Sequence, residues 1–166
     1  MKILLIQPPT PSQIELYSTA GFVAPPLGLA YIAAVLENNN YQVEILDASA
    51  LGLSLTQLKN EVRKRKPDLV GITASTAMVM SAYDVARMVK EVTPETTVVL
   101  GGPHITFMPE RTMLEEPSID IGCIGEGEYT LLELVKTLES DGNLEDVRGL
   151  IFRKNHELIR TPPRPF

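Results

Sequence analysis

The stretch Val98-Val99-Leu100-Gly101-Gly102-Pro103-His104 constrains the fold of this chain more than any other. Its apolar run follows Pro94-Glu95-Thr96-Thr97 and stops at two glycines. An apolar run of strand length without polar alternation is the pattern of a strand covered on both faces, as in parallel sheets packed between helices. Two residues without a Cβ at its carboxyl end have two readings. They make the turn that leaves the strand, or they let something flat or bulky lie against the backbone where open parallel sheets hold ligands.

The rest of the chain alternates strand and helix signals as such a sheet requires. An apolar run at 3–6 meets Gln7-Pro8-Pro9-Thr10-Pro11, which neither a helix nor a central strand accommodates, so a first strand enters a long loop. Pro26 suits a first helical turn, where its missing N–H has no partner to lose. Residues 27–36 are apolar almost all round, which predicts a largely buried helix, and Asn38-Asn39-Asn40 supplies a left-handed stop. Gly28 is read as a close-packing position, with ligand approach as the alternative.

Residues 41–47 alternate through Val43 and Ile45 as a second strand. Ser54 and Gln57 form a capping box for a helix with Leu55, Leu58 and Val62 on one face. Its other face, with Lys59, Arg63, Lys64 and Lys66, is read as solvated rather than as a binding patch. A third strand at 69–72 opens into Thr73-Ala74-Ser75-Thr76. Met78, Ala82, Val85, Ala86 and Val89 then repeat at helical spacing, with the methionines placed in the core. The opening stretch is the fourth strand, and a short helix fits 109–114. A fifth apolar run at 119–124 ends in Gly125-Glu126-Gly127-Glu128, ahead of an amphipathic helix over 129–138.

This order predicts an α/β, doubly wound (Rossmann-like) parallel sheet with right-handed crossovers and the flavodoxin-like strand order 2-1-3-4-5. Residues 1–143 form that domain. Residues 144–166 are read as a C-terminal hairpin, with strands near 147–152 and 158–159, and a proline-rich linker from Thr161. Three loops then meet on one sheet edge: Thr73 to Thr76, Gly101 to His104, and Gly125 to Glu128.

Composition excludes several ligands for that edge. With 15 Lys and Arg against 21 Asp and Glu, the net charge is -6 and no basic block is present, so nucleic acid is not an expected partner. No apolar stretch reaches membrane-spanning length, and the single cysteine, Cys123, cannot form an internal disulfide, so a cytoplasmic location is expected. The first loop carries neither a dinucleotide-binding glycine fingerprint nor a P-loop. Gln7 and Thr73 stand where a receiver domain would need acidic residues. Glu126 and Glu128, two residues apart at a helix start, read as partners of the helix dipole rather than as an acid and a base. Cys123 reads as an inert core thiol, and His104 lacks the companions a metal site needs. No residue is assigned a catalytic or metal-ligating role.

Taken together, Pro25-Pro26-Leu27-Gly28-Leu29-Ala30-Tyr31, Gly71-Ile72-Thr73, Leu100-Gly101-Gly102-Pro103-His104 and Gly125-Glu126-Gly127-Glu128 resemble the amino-terminal cobalamin-binding domain of radical S-adenosylmethionine enzymes. The resemblance covers nearly the whole chain, and Arg164-Pro165 resembles the lead-in to their radical domain. The Cys-x-x-x-Cys-x-x-Cys segment that holds their iron–sulfur cluster is missing, and one cysteine cannot replace it. The resemblance therefore implies a cofactor module whose S-adenosylmethionine and [4Fe-4S] cluster belong to an absent C-terminal radical domain.

It also implies a site. The nucleotide tail of cobalamin would enter between the third-strand and fourth-strand loops, with Thr73, Ala74, Ser75, Thr76, Gly101, Gly102, Pro103, His104, Gly125, Glu126 and Gly127 as the binding residues. Between Gln7 and Pro26 the chain offers Thr10, Ser12, Gln13, Glu15, Tyr17, Ser18 and Thr19 but no histidine, so cobalamin is expected base-off and histidine-off. His104 and Tyr17 are the alternatives as lower ligands. The implied activity of a full-length parent is radical-dependent methyl transfer or ring formation. From a different class, a non-catalytic domain that docks a protein or another nucleotide on the same edge remains the alternative.

Overall fold

The structure, a computed structural model, describes residues 1–10 and 25–165. Its strands are β1 (Lys2–Gln7), β2 (Gln42–Asp47), β3 (Leu69–Thr73), β4 (Thr97–Gly101), β5 (Ile121–Cys123), β6 (Leu150–Lys154) and β7 (Glu157–Arg160). They form one sheet in the order β2-β1-β3-β4-β5-β6-β7. The first five pair in parallel in the expected order, whereas β6 and β7 add antiparallel, with Cys123 opposite Leu150 and Phe152 opposite Ile159. The C-terminal hairpin therefore continues the sheet. Beyond it, Arg164 donates to Thr130 Oγ1 at 3.0 Å and pairs with the Glu133 carboxylate, which fastens the chain end to the neighbouring helix.

Among the described residues, six helices flank the sheet: α1 (Leu27–Asn38), α2 (Leu55–Arg65), α3 (Val79–Val92), α4 (Pro103–Phe107), α5 (Pro109–Glu115) and α6 (Glu128–Glu139). Side chains alternate across each strand, so one chain supplies two cores. Leu4, Ile6, Val70, Ile72, Val98 and Leu100 face α2 and α3; Ile3, Leu5, Leu69, Val99, Ile121 and Cys123 face α1 and α6. Local rules set the helix ends. The Ser54 hydroxyl accepts from the Gln57 N–H while Gln57 Oε1 accepts from the Ser54 N–H, and Lys66 closes α2 in the left-handed conformation. Buried Leu58 and Val62 then anchor α2, each contributing about 1.5–3 kcal/mol. The basic face of α2 is solvated and paired with acids, Lys59 with Glu91 and Lys64 with Glu61.

Three expectations fail in instructive ways. Helix α1 is apolar all round but buries only Leu29, Ala33 and Leu36; Leu27 and Tyr31 stay 63% and 64% exposed. A helix laid on a sheet presents one stripe to it, whatever the composition of the other face. Met88 is in the core, but Met80 points to solvent. Finally, Pro103 starts a one-turn helix where a loop is expected, because a proline at the first helical position has its φ already set and no N–H to satisfy.

Candidate functional site

Strands β3, β4 and β5 all end on the same edge, with Thr73 in register with Gly101. There a cavity of about 490 Å³ opens between the sheet and helices α1 and α6. Strand parity explains the void. Gly71 and Gly101 occupy positions on the α1–α6 face where β3 and β4 would otherwise set side chains beside Leu5, Val99 and Cys123. Among the described residues, a Cβ at Gly101 would come no closer than 3.9 Å to another atom, the Cβ of Cys123. One at Gly28, on the α1 wall, would meet nothing within 4 Å among the described residues. At Gly71 it would meet the tip of Leu5 at 2.8 Å. The walls are otherwise Leu29, Ile32 and Leu131, and the rim carries Pro103, Thr106, Phe107 and Glu126.

The chemistry of this cavity is apolar with a few polar atoms. Burial pushes the Cys123 thiol up to about 12, so at neutral pH it is an uncharged wall and not a nucleophile. Thr73 and Thr106 contribute hydroxyls. Phe107 stands 84% exposed at the rim. Among the described residues no group of three or more His, Cys, Asp or Glu side chains is placed to hold a metal ion. Among them, too, no helix is long and apolar enough to cross a membrane.

The space between the β3 and β4 loops, in contrast, is stitched shut. Ala74 N–H donates to Gly101 O at 3.0 Å, and His104 N–H donates to Ala74 O at 3.0 Å. A Cβ on Gly102 would lie 2.8 Å from both Ala74 O and Thr73 Oγ1, and its φ of +96° disfavours any side chain. The two glycines thus have different jobs: Gly101 leaves the cavity open, and Gly102 lets two loops touch.

The family model of the B12 binding domain matches residues 16–135. This chain belongs to the B12-binding domain family. It is 43% identical over 165 residues to the uncharacterized methyltransferase PH0819 of Pyrococcus horikoshii, a match covering 99% of this chain and 35% of that protein. It is 35% identical over 145 residues to the anaerobic magnesium-protoporphyrin IX monomethyl ester cyclase of Cereibacter sphaeroides, covering 85% and 24% respectively. The fold is shared with the radical S-adenosylmethionine methyltransferase TsrM of Kitasatospora setae, solved with cobalamin and a [4Fe-4S] cluster. That match has a TM-score of 0.80 at 23% identity and covers 98% of this chain and 29% of that one. The B12-binding chain thus spans about a third or less of the length of these relatives.

Of the binding residues expected for this B12-binding domain, the cavity is lined by Thr73, Gly101, Gly102, Pro103, Gly125, Glu126 and Gly127. Ala74, Ser75, Thr76 and His104 are not on its walls. Ala74 is buried behind Gly102, and Ser75 leads into a 3₁₀ turn at Thr76–Met78. His104 is only 6% exposed, its Nδ1 is 3.2 Å from Thr76 Oγ1, and burial holds its pKa below the ordinary histidine value. Gly28, read as a packing glycine, is instead a cavity wall. Ser12, Gln13, Glu15, Tyr17, Ser18 and Thr19, offered as the contents of the first loop, lie outside the described residues. The reading of the sequence missed Ile32, Thr106 and Phe107. Thr106 carried no local signal, because its hydroxyl turns back to Gly102 O only in the one-turn helix that starts at Pro103, where a loop was expected.

Proposed function

We propose that this chain holds cobalamin base-off, with the nucleotide tail in the cavity between the sheet and helices α1 and α6. In this reading it serves as the cofactor module of a radical S-adenosylmethionine enzyme of methyl-transferring or ring-forming type. The observation that carries the reading is the cavity itself, about 490 Å³ on the carboxyl edge of a B12-binding sheet, floored by glycines with no side chain toward it. The residues fit the group. Gly28 and Gly101 admit a flat ring against backbone, Leu29, Ile32 and Leu131 cover its faces, and the Thr73 hydroxyl meets polar atoms near the mouth.

A tail held there is drawn away from the metal, which is the physical content of the base-off state. Bound cobalamin supplies a metal centre able to carry a methyl group, and the protein supplies orientation and exclusion of water. The cluster and S-adenosylmethionine need residues this chain does not have, since Cys123 is its only cysteine and is buried in the sheet. A C-terminal radical domain of a longer protein is their expected holder, and the greater length of the relatives supports this.

The test is incubation with hydroxocobalamin followed by gel filtration. A corrin absorption spectrum eluting with the protein is the expected result. A colourless protein fraction refutes the reading.

A further inference from the structure

One hydroxyl at the mouth of the cavity is bonded to both glycine loops. Thr106 Oγ1 donates to Gly102 O at 2.9 Å and accepts from Gly125 N at 3.1 Å. The roles are unambiguous, because a carbonyl oxygen only accepts and a backbone N–H only donates. Gly102 itself lies between Gly101, whose carbonyl accepts from Ala74 N–H, and His104, whose N–H donates to Ala74 O, so it is held against the β3 loop from both sides. A continuous path therefore runs from the end of β3 through Gly102 and Thr106 to Gly125 at the end of β5. The far end of that path most needs holding. Gly125 is exposed, has a φ of +80°, and opens the Gly-Glu-Gly-Glu segment that leads into α6.

We propose that Thr106 is a positioning residue of the cobalamin site, a clasp whose hydroxyl holds the β5 loop against the β4 loop and keeps the mouth at its binding width. The proposal rests on the cobalamin reading above. A segment with two glycines in four residues has many conformations in the absence of a tie. If the competent arrangement is then populated only part of the time, the apparent dissociation constant rises by the inverse of that fraction. The clasp removes this cost before the ligand arrives, which is preorganisation. It also occupies the Gly125 N–H, so the ligand meets that loop through other groups.

The experiment uses this chain as wild type, Thr106→Val, which keeps the shape and loses donor and acceptor, and Thr106→Ser, which keeps both. Absorbance titration with hydroxocobalamin should show a roughly tenfold weaker complex for the valine variant and roughly wild-type affinity for serine. Amide hydrogen exchange without cobalamin supplies a second readout. The Gly125 amide, although exposed, should be protected in wild type and in the serine variant and should exchange freely in the valine variant. Wild-type affinity in a folded Thr106→Val protein overturns the proposal, as does an unprotected Gly125 amide in wild type. Failure of the wild type to bind cobalamin contradicts the cobalamin reading, and the Gly125 amide still decides whether the clasp exists. Should the valine variant not fold, the wild-type and serine amides decide it.

Discussion

Replacing Gly101 by leucine should abolish most cobalamin binding without weakening the fold. Gly101 sits on β4 with ordinary negative φ, and a Cβ there meets only Cys123 Cβ at 3.9 Å and Ile72 O at 4.0 Å, so the backbone accepts a side chain. The rest of the leucine has to enter the cavity. A bicyclic base of roughly tryptophan size buries about 150–250 Å². At about 25 cal/mol per Å² its burial is worth about 4–6 kcal/mol. If leucine denies half of that, binding weakens by about 2–3 kcal/mol, or roughly 30- to 150-fold. The folding free energy should move the other way or not at all, since glycine within a strand costs about 0.5–1 kcal/mol and the new side chain is buried among apolar neighbours. The assay is a paired one, hydroxocobalamin titration beside thermal unfolding. A folded Gly101→Leu protein with wild-type affinity would show that the tail does not occupy this cavity.

Gly102→Ala, in contrast, should weaken the fold, because its Cβ strikes the Ala74 backbone at positive φ. A loss of about 1–3 kcal/mol lowers the melting temperature by roughly 2–12 °C, and an unchanged melt contradicts the contact. Burial raises the Cys123 thiol from 9.0 to about 12, so the folded state keeps a proton that the unfolded state releases. The stability it contributes is full below pH 9 and is lost as pH rises toward 12. Cys123→Ala should therefore unfold with a shallower decline over that window in pH-dependent denaturant titrations. His104 has the opposite sense. Its pKa is lowered by burial, partly offset by the Glu115 carboxylate, so stability should fall as pH drops below about 6.5. In His104→Asn, denaturant titrations at pH 5 and 7 should differ less than in wild type.

The sheet was legible because each of its signals is local. The Ser54–Gln57 box, the left-handed stop at Asn40 and the unalternated runs of β3 and β4 each report their own element. The site was legible only as a neighbourhood. That Gly101 and Gly102 lie at a ligand edge follows from strand and helix order. Which of them faces the void depends on strand parity, and that is set by which neighbours pack on each face. Gly28 was misjudged for a related reason: a glycine in a helix serves close packing or open space, and only the opposing sheet face distinguishes them. The burial of His104 and the clasp at Thr106 were out of reach because both depend on contacts across 19 to 28 residues that topology alone brings together. The exposed face of α1 shows the limit of composition, since apolar content does not say which stripe meets the sheet.

Electron paramagnetic resonance of cob(II)alamin bound to this chain tests the central claim most directly. A tail lowered into the α1–α6 cavity cannot keep its own base on the metal, and His104 is turned into the protein with Nδ1 beside Thr76 Oγ1. The account predicts cobalt hyperfine lines without superhyperfine splitting from a nitrogen ligand, in wild type and in His104→Asn alike. Nitrogen splitting that persists in His104→Asn would mean that the base remains on cobalt and the cavity is not its site, and splitting lost in that variant would make His104 the ligand.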